Sequence, residues 1–426
     1  MDSFKNIVIV GGGFAGSTAA RALQANLPEG YRVVLISEES YLTFSPMLPE
    51  VVGASVFPEQ IVAPLRQLLD LSMGSRFIMG RVSAIDQAAQ VVTCSSLAGE
   101  TMVPYAELVL AFGNRPRLDF IPGMAHHALP LKSIGDAMEI RNNVLRRLAQ
   151  IELEEDGEKR RRLGHFIVIG GGFSGVEVAG ELVDCLRGIR RYYPRVASEE
   201  LKVTVIHDLD RLLPELPAPL GKAAQRSLQK RGVAVILSKR ASEIGVDGVR
   251  CADGDLLSSA MVICTIGTRP NPLAESLGLP NERGRIVVQP DLAVAGSKNI
   301  WAIGDCALVA NAHDGKNAPP TAQFAVQEAA FLARNIGRRV AGRDTVPFRY
   351  RSRGMMASIG HMKGVANIFG ISTSGLPAWL LWRAYYLSQM PTFGRKLRIF
   401  VEWTWGMFFP ADITHLRFTR SGEVDR

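Results

Sequence analysis

The feature that most constrains this 426-residue chain is a segment that occurs twice: NIVIVGGGFAG at 6–16 returns as HFIVIGGGFSG at 165–175. Each copy is a short β-branched run, a glycine loop and a helical pattern, STAARALQANL after the first and VEVAGELVDCL after the second. Apolar runs without polar alternation fit buried parallel strands. Each copy continues to a second strand, YRVVLI (31–36) or LKVTVI (201–206). A third then closes in a glycine turn, LVLAFGNRP (108–116) or MVICTIGTRP (261–270). Gly11 and Gly113 lie 102 positions apart, Gly170 and Gly267 lie 97 apart. The matched spacing predicts two Rossmann-like dinucleotide-binding domains in an α/β fold.

The chemistry of the two loops follows from their glycines. Gly11 and Gly170 permit a tight turn, Gly13 and Gly172 let backbone N–H groups approach a pyrophosphate, and Gly16 and Gly175 allow close packing of helix on strand. The residue after the second strand selects the nucleotide through its ribose. In the first copy Ser37 holds the usual acidic position and Glu38 follows, a ribose ligand displaced by one. In the second copy His207 stands there, with Asp208 and Arg211 close by, which leaves a 2′-phosphate open. Further on, NIWAIGDCALV (299–309) predicts a strand and a glycine turn that aims Asp305 at a polyol hydroxyl.

These three motifs together resemble the two-dinucleotide-binding-domain flavoproteins related to the pyridine nucleotide disulfide oxidoreductases. The resemblance implies FAD in the first domain and NAD(P)H in a second domain inserted into it, NADH being the expected substrate and NADPH remaining open. Within that superfamily, PPTAQFAVQEAAFLARNI (319–336) looks like the AQxAxQ segment of type II NADH:quinone oxidoreductases, YLTFSPMLPEVVGA (41–54) resembles their FxPLL segment, and GFSGVEVAGEL matches their GxxGVExAGEL pattern. The likeness implies catalytic or positioning roles for Glu177, Gln323 and Gln327. It assigns FAD to Gly11, Gly13, Phe14, Ala15, Gly16 and Glu38, and to Val82, Ala111, Gly113, Asp305, Ala322 and Gln323. NAD(P)H falls to Gly170, Gly172, Phe173, Ser174, Gly175, Glu177, His207 and Gly267. Thr321 is expected to cap the helix that carries the two glutamines. Phe112 departs from the family, where threonine is common.

The implied activity is non-proton-pumping transfer of a hydride from NADH to FAD and of two electrons to a membrane quinone. The domain limits read as 1–118 and 263–345 for FAD, 119–262 for NAD(P)H, and 346–426 for membrane association and quinone access. A sulfide:quinone oxidoreductase-like enzyme and an NAD(P)H-sensing flavoprotein acting through binding are the alternatives. The five cysteines weigh against the first: they are odd in number, widely spaced, and absent from the flavin-proximal 41–54 stretch. Cys306, beside Asp305, reads as packing. No metal is expected, because no CxxC or zinc-type pairing occurs.

Composition matters most at the C-terminus. From Phe331 to Arg426 there are 15 Lys+Arg against 5 Asp+Glu, whereas the preceding residues carry 34 against 36. Trp379, Trp382, Trp403 and Trp405 cluster there, as aromatics do at a membrane interface. Leu397, Phe400, Val401, Trp405 and Phe408 form one helical stripe behind Arg395, Lys396 and Arg398, a basic start that suits anionic lipid. Two amphipathic segments broken by PTFG predict a peripheral, monotopic anchor, and the resemblance implies attachment to the cytoplasmic face of the inner (plasma) membrane. No apolar run suffices to span a bilayer, and the N-terminus has no room for an export signal. Nucleic acid is not expected, since no recognition module appears; a homodimer is left open.

Overall fold

The computed structural model describes residues 4–409 and 412–416. The first copy gives strand β1 (Lys5–Val10), helix α1 (Phe14–Gln24) and strand β2 (Tyr31–Ser37). Short helix α2 (Leu48–Val52), strands β3 (Arg76–Asp86), β4 (Val91–Ser96) and β5 (Gly99–Pro104), and then β6 (Glu107–Leu110) follow. The next stretch supplies β7 (Ala128–Pro130), β8 (His165–Ile169), helix α3 (Phe173–Ile189), β9 (Lys202–Ile206), β10 (Ala234–Ile236) and β11 (Met261–Cys264). Strand β12 (Ile300–Ala302) and helix α4 (Ala322–Val340) lead to a final group: β13 (Gly354–Ser358), β14 (Gly364–Ile368), β15 (Ile371–Ser374), α5 (Leu376–Gln389) and α6 (Phe393–Trp405).

The chain forms two compact units. The first gathers residues up to Thr43 with Val62–Pro116 and Thr268–Ser352. Its seven-stranded sheet runs β12-β6-β1-β2-β3-β4-β5. The strands from β12 to β3 pair in parallel, and β4 and β5 add an antiparallel meander. Ile7, Val8, Ile9 and Val10 are all buried, as a parallel strand covered on both faces requires. Helix α1 packs against α4. Thr321 caps α4 as its sequence predicts, accepting from the Phe324 N–H at 3.4 Å.

The second unit comprises Phe44–Ile61, Arg117–Gly267 and the chain from Arg353 onward. Its parallel sheet has the order β7-β11-β8-β9-β10. Helix α3 packs on this sheet and against α2 and β13, while α5 covers the antiparallel sheet β13-β14-β15. The break predicted at PTFG is real: α5 ends at Gln389, and Thr392 caps α6 by accepting from the Arg395 N–H. Among the described residues no helix is long and apolar enough to cross a membrane.

One expectation about this segment fails. Trp379, Trp382 and Trp403 are buried, and only Trp405 among the four clustered tryptophans is exposed. The reason is a charge: the Arg383 guanidinium lies 3.7 Å from the Trp379 ring centre and 4.7 Å from that of Trp403. Cation–π contact with two rings compensates a buried cation, so those rings face inward.

Candidate active site

The two glycine loops have the same geometry, one in each unit. At the end of β1 the Gly11 N–H donates to the Ile36 carbonyl at 2.8 Å; at the end of β8 the Gly170 N–H donates to that of Ile206 at 2.9 Å. Gly11 has φ +112° and Gly170 φ +115°, a region open to glycine and strained for other residues. A Cβ on Gly16 would stand 1.8 Å from the Gly11 carbonyl oxygen, and one on Gly175 1.9 Å from that of Gly170. A Cβ on Gly13 or Gly172 would meet no atom within 4 Å. The third glycine of each loop is therefore forced by packing, and the second leaves the helix N-terminus open. Neither α1 nor α3 carries an acid in its first turn, so the positive end of each helix dipole is uncancelled. Phe14 and Ala15 begin α1; Phe173 and Ser174 begin α3.

In the first unit other predicted residues converge on this loop. Gly304, in the turn after β12, would put a Cβ 3.0 Å from that of Ala15 and 3.8 Å from that of Ala325 on α4. The start of α1, the turn bearing Asp305 and the start of α4 thus meet. Asp305 accepts from the Asn114 side-chain amide at 2.9 Å. The carbonyl oxygen of that amide is buried and has no partner among the described residues. Open backbone donors, a carboxylate and an unmatched amide oxygen fit the pyrophosphate and polyol of FAD. Gln323 accepts from the Ser352 hydroxyl at 3.2 Å, and Gln327 lies one turn further along α4, both half-buried. Ala322 is the first residue of α4. Ala111 and Gly113 form the turn after β6, and Val82 is a core residue of β3. Glu38 accepts from Arg115 at 2.5 Å, with Arg81 at 3.9 Å, so a ribose hydroxyl would share it with Arg115.

Sequence reasoning missed Glu328. This α4 carboxylate accepts from the Gly304 N–H at 2.7 Å and is almost wholly buried. Burial pushes its pKa up to about 7. It fixes the turn that presents Asp305, and its only sequence signal is one acid on the apolar face of a helix.

In the second unit His207 follows β9 directly and packs over Gly171, whose Cβ would stand 2.6 Å from the imidazole. The ring Nδ1 lies 3.3 Å from Asp208. Burial depresses its pKa, so the ring is neutral at pH 7. Arg211 donates to the Pro214 carbonyl at 2.7 Å and keeps its charge, whereas Lys239 is paired with Asp253 at 2.9 Å and also with Asp255. Gly267 closes the turn after β11 at φ +82°.

Glu177, in the second turn of α3, is buried and accepts from the Ser358 N–H at 3.1 Å. Burial raises its pKa well above the ordinary 4.5. It does not stand alone. Glu181 on the same helix accepts from the Ser55 hydroxyl at 2.6 Å, and Glu50 of α2 accepts from the Trp403 indole at 3.1 Å. Neither was singled out in the sequence.

All five cysteines are buried and free. The Cys306 thiol donates to the carbonyls of Ile303 at 3.3 Å and Leu110 at 3.4 Å, and burial pushes its pKa up to about 12. A thiol so held is closed to thiolate chemistry, which disfavours a sulfur relay. On α6 the predicted stripe faces out, with Leu397, Phe400, Val401 and Trp405 54–61% exposed; Phe408, expected to continue it, lies in the turn beyond the helix end at Trp405 and is exposed as well. Of the basic residues at its start, Arg395 donates to the Glu59 carbonyl while Arg398 is exposed.

Comparison with known proteins places this geometry. Residues 5–329 match the family model described as pyridine nucleotide-disulphide oxidoreductase, and residues 352–411 match the NDH2 C-terminal domain. The chain is 30% identical over 421 residues to the type II NADH:quinone oxidoreductase Ndh of Mycobacterium tuberculosis, covering 93% of this chain and 87% of that one. It is 31% identical over 410 residues to the demethylphylloquinone reductase NdbB of Synechocystis, covering 94% and 96%. Its fold is similar to that of Plasmodium falciparum NDH2 solved in complex with NADH, with TM-score 0.89 at 19% identity over 96% of this chain and 99% of that one.

Proposed function

Because the chain belongs to the pyridine nucleotide-disulphide oxidoreductase family and, within it, to the type II NADH:quinone oxidoreductases, we propose that it reduces a membrane quinone with NADH and pumps no protons. Bound FAD supplies the redox chemistry, taking a hydride from NADH and yielding two electrons to the quinone. The protein supplies binding, orientation and control of protons. The observation that carries the reading is the pair of matched glycine cradles, one in each unit.

Gly11, Gly13 and Gly16 hold the FAD pyrophosphate at the start of α1, with Glu38 toward the ribose and Asp305 toward the ribityl chain. Gly170, Gly172 and Gly175 do the same for NADH. We assign the first unit to FAD and the Arg117–Gly267 stretch of the second to NADH, where the limits read from the sequence are 1–118 with 263–345 and 119–262, and residues 346–426 to membrane association and quinone access. NADH is favoured over NADPH, because the neutral His207 brings no charge to a 2′-phosphate and Lys239 is already paired with Asp253 and Asp255. Glu177, Gln323 and Gln327 position the substrates. The outward stripe of α6 and the exposed Arg398 attach the protein peripherally to the cytoplasmic face of the membrane, through apolar burial and attraction to anionic lipid.

The test is spectroscopic. The purified holoenzyme should bleach on NADH, far less on NADPH, and recover its colour on adding a quinone. Bleaching with no recovery by any quinone would refute the assignment.

A further inference from the structure

Three carboxylates and one guanidinium share the interior of the second unit. Glu177 and Glu181 stand one turn apart on α3 and Glu50 comes from α2; the residues are 8%, 5% and 2% exposed. Each is held by a hydrogen bond, from the Ser358 N–H, the Ser55 hydroxyl and the Trp403 indole respectively. The cation is Arg383 of α5, clamped between Trp379 and Trp403. It acts on Glu50 and Glu181 across the cluster. Its pKa, lowered by burial to about 10, leaves it charged at pH 7.

Among the described residues the other buried guanidinium groups of this unit have partners of their own: Arg141 donates to the Asp412 carbonyl at 3.2 Å. Asp184 of α3 takes Arg231 at 2.7 Å and the His361 N–H at 2.8 Å. Burial and the Arg383 charge push His361 down, so it is neutral. Burial raises the Tyr386 phenol, and pushes the Cys185 thiol up to about 12 although the Arg141 charge lowers it. Three ionised carboxylates against one guanidinium would leave two unbalanced charges away from water, each costing several kcal/mol. The cluster therefore keeps protons at neutral pH. Burial raises all three carboxyls, Glu50 to about 7, Glu181 to about 8 and Glu177 well above its ordinary 4.5, and whatever charge Glu50 and Glu181 carry raises Glu177 further.

We propose that Glu50 and Glu181 are positioning residues for Glu177: with the single guanidinium directed at them, they keep its carboxyl protonated, so that it serves as a proton donor rather than a fixed anion. This rests on the assigned reaction, in which Glu177 lies beside the substrates. That reaction takes one proton from water per turnover, NADH + H⁺ + quinone giving NAD⁺ + quinol. The Glu177 O–H bond breaks and the electron pair stays on the carboxylate. The proton forms an O–H bond on the quinone being reduced, and water then returns a proton to Glu177.

The test uses the holoenzyme and isosteric variants that keep the Ser55 and Trp403 hydrogen bonds. The infrared band of protonated carboxyl groups is followed against pH, and the component lost in Glu177→Gln identifies Glu177. In the wild type that component should be present at pH 7. In Glu181→Gln it should titrate about one pH unit lower, a roughly tenfold loss of proton affinity, and the alkaline limb of quinone-reduction kcat should move with it. Flavin bleaching by NADH should keep its KM. Glu50→Gln carries the same expectation should Glu181→Gln not fold. A wild-type Glu177 already ionised at pH 7, or a component that titrates alike in every folded variant, would overturn the proposal. Loss of quinone turnover with the band behaving as expected would instead count against the assigned reaction.

Discussion

An alanine at Gly175 tests how each loop serves its nucleotide. Its Cβ would stand 1.9 Å from the Gly170 carbonyl oxygen and 2.9 Å from the Thr265 hydroxyl, whereas close C···O contacts run to roughly 3.3–3.6 Å. Helix α3 and the loop must then separate by over an ångström. Overpacking of this kind costs about 1–3 kcal/mol. If most of that falls on the loop geometry that receives the pyrophosphate, NADH affinity drops by roughly 5- to 150-fold, at about 1.4 kcal/mol per factor of ten. The FAD loop lies in the other unit and should be untouched. Gly175→Ala should therefore purify with its full flavin absorbance and show a raised NADH KM for bleaching in a stopped-flow instrument. Gly16→Ala, whose Cβ would stand 1.8 Å from the Gly11 oxygen, should do the reverse and emerge depleted of flavin. Loss of flavin from Gly175→Ala with an unchanged NADH KM would refute the division of labour.

Other outcomes follow from single contacts. Glu328 has a folded pKa of about 7 against an ordinary 4.5, so its contribution to stability is complete below about pH 4.5 and is lost as pH rises through 7. That amounts to roughly 3 kcal/mol. Urea unfolding from pH 4 to 8 should show Glu328→Gln gaining about that much on the wild type, and parallel pH dependences would contradict the assignment. Replacing Phe400 and Trp405 together by serine should weaken cosedimentation with anionic vesicles by tenfold or more, since each buried ring contributes about 1.5–3 kcal/mol; full retention would show that another surface docks. Cys306→Ser should leave NADH-driven quinone turnover unchanged, and a collapse in turnover with FAD still bound would revive a sulfur relay.

The repeated strand-loop-helix units, the Thr321 cap, the break between α5 and α6 and the outward stripe of α6 were all legible, because each is set by neighbours within a few turns. What the sequence could not disclose depends on partners far along the chain. Trp403 turns inward because its indole meets Glu50, 353 positions away, and no helical period records that distance. Glu181 lies one turn beyond Glu177, yet reads as an ordinary helix acid until α2 and α5 close over it. Glu328 is hidden in the same way: its role appears only once the Gly304 turn lies against α4.

Helix α6 shows why the two kinds of information must be joined. Ile399 and Trp403, four residues apart, are its buried residues, and neither belongs to the predicted stripe. They form an inner seam fixed by the indole-to-Glu50 hydrogen bond and by the ring's contact with Arg383. The stripe residues make the opposite seam, so the helix needs none of them to dock on its own unit. Apolar side chains left on an exposed face contribute only when something outside the unit covers them. The inner seam also passes orientation inward, because the ring that seats α6 is the one that donates to Glu50, one of the two carboxyls proposed to control the Glu177 proton. A change at Phe400 should therefore alter membrane attachment and spare the pH profile of turnover. One at Trp403 should shift the profile even in detergent, where no bilayer is present. Identical pH profiles for Trp403→Phe and the wild type would separate the anchor from the proton chemistry.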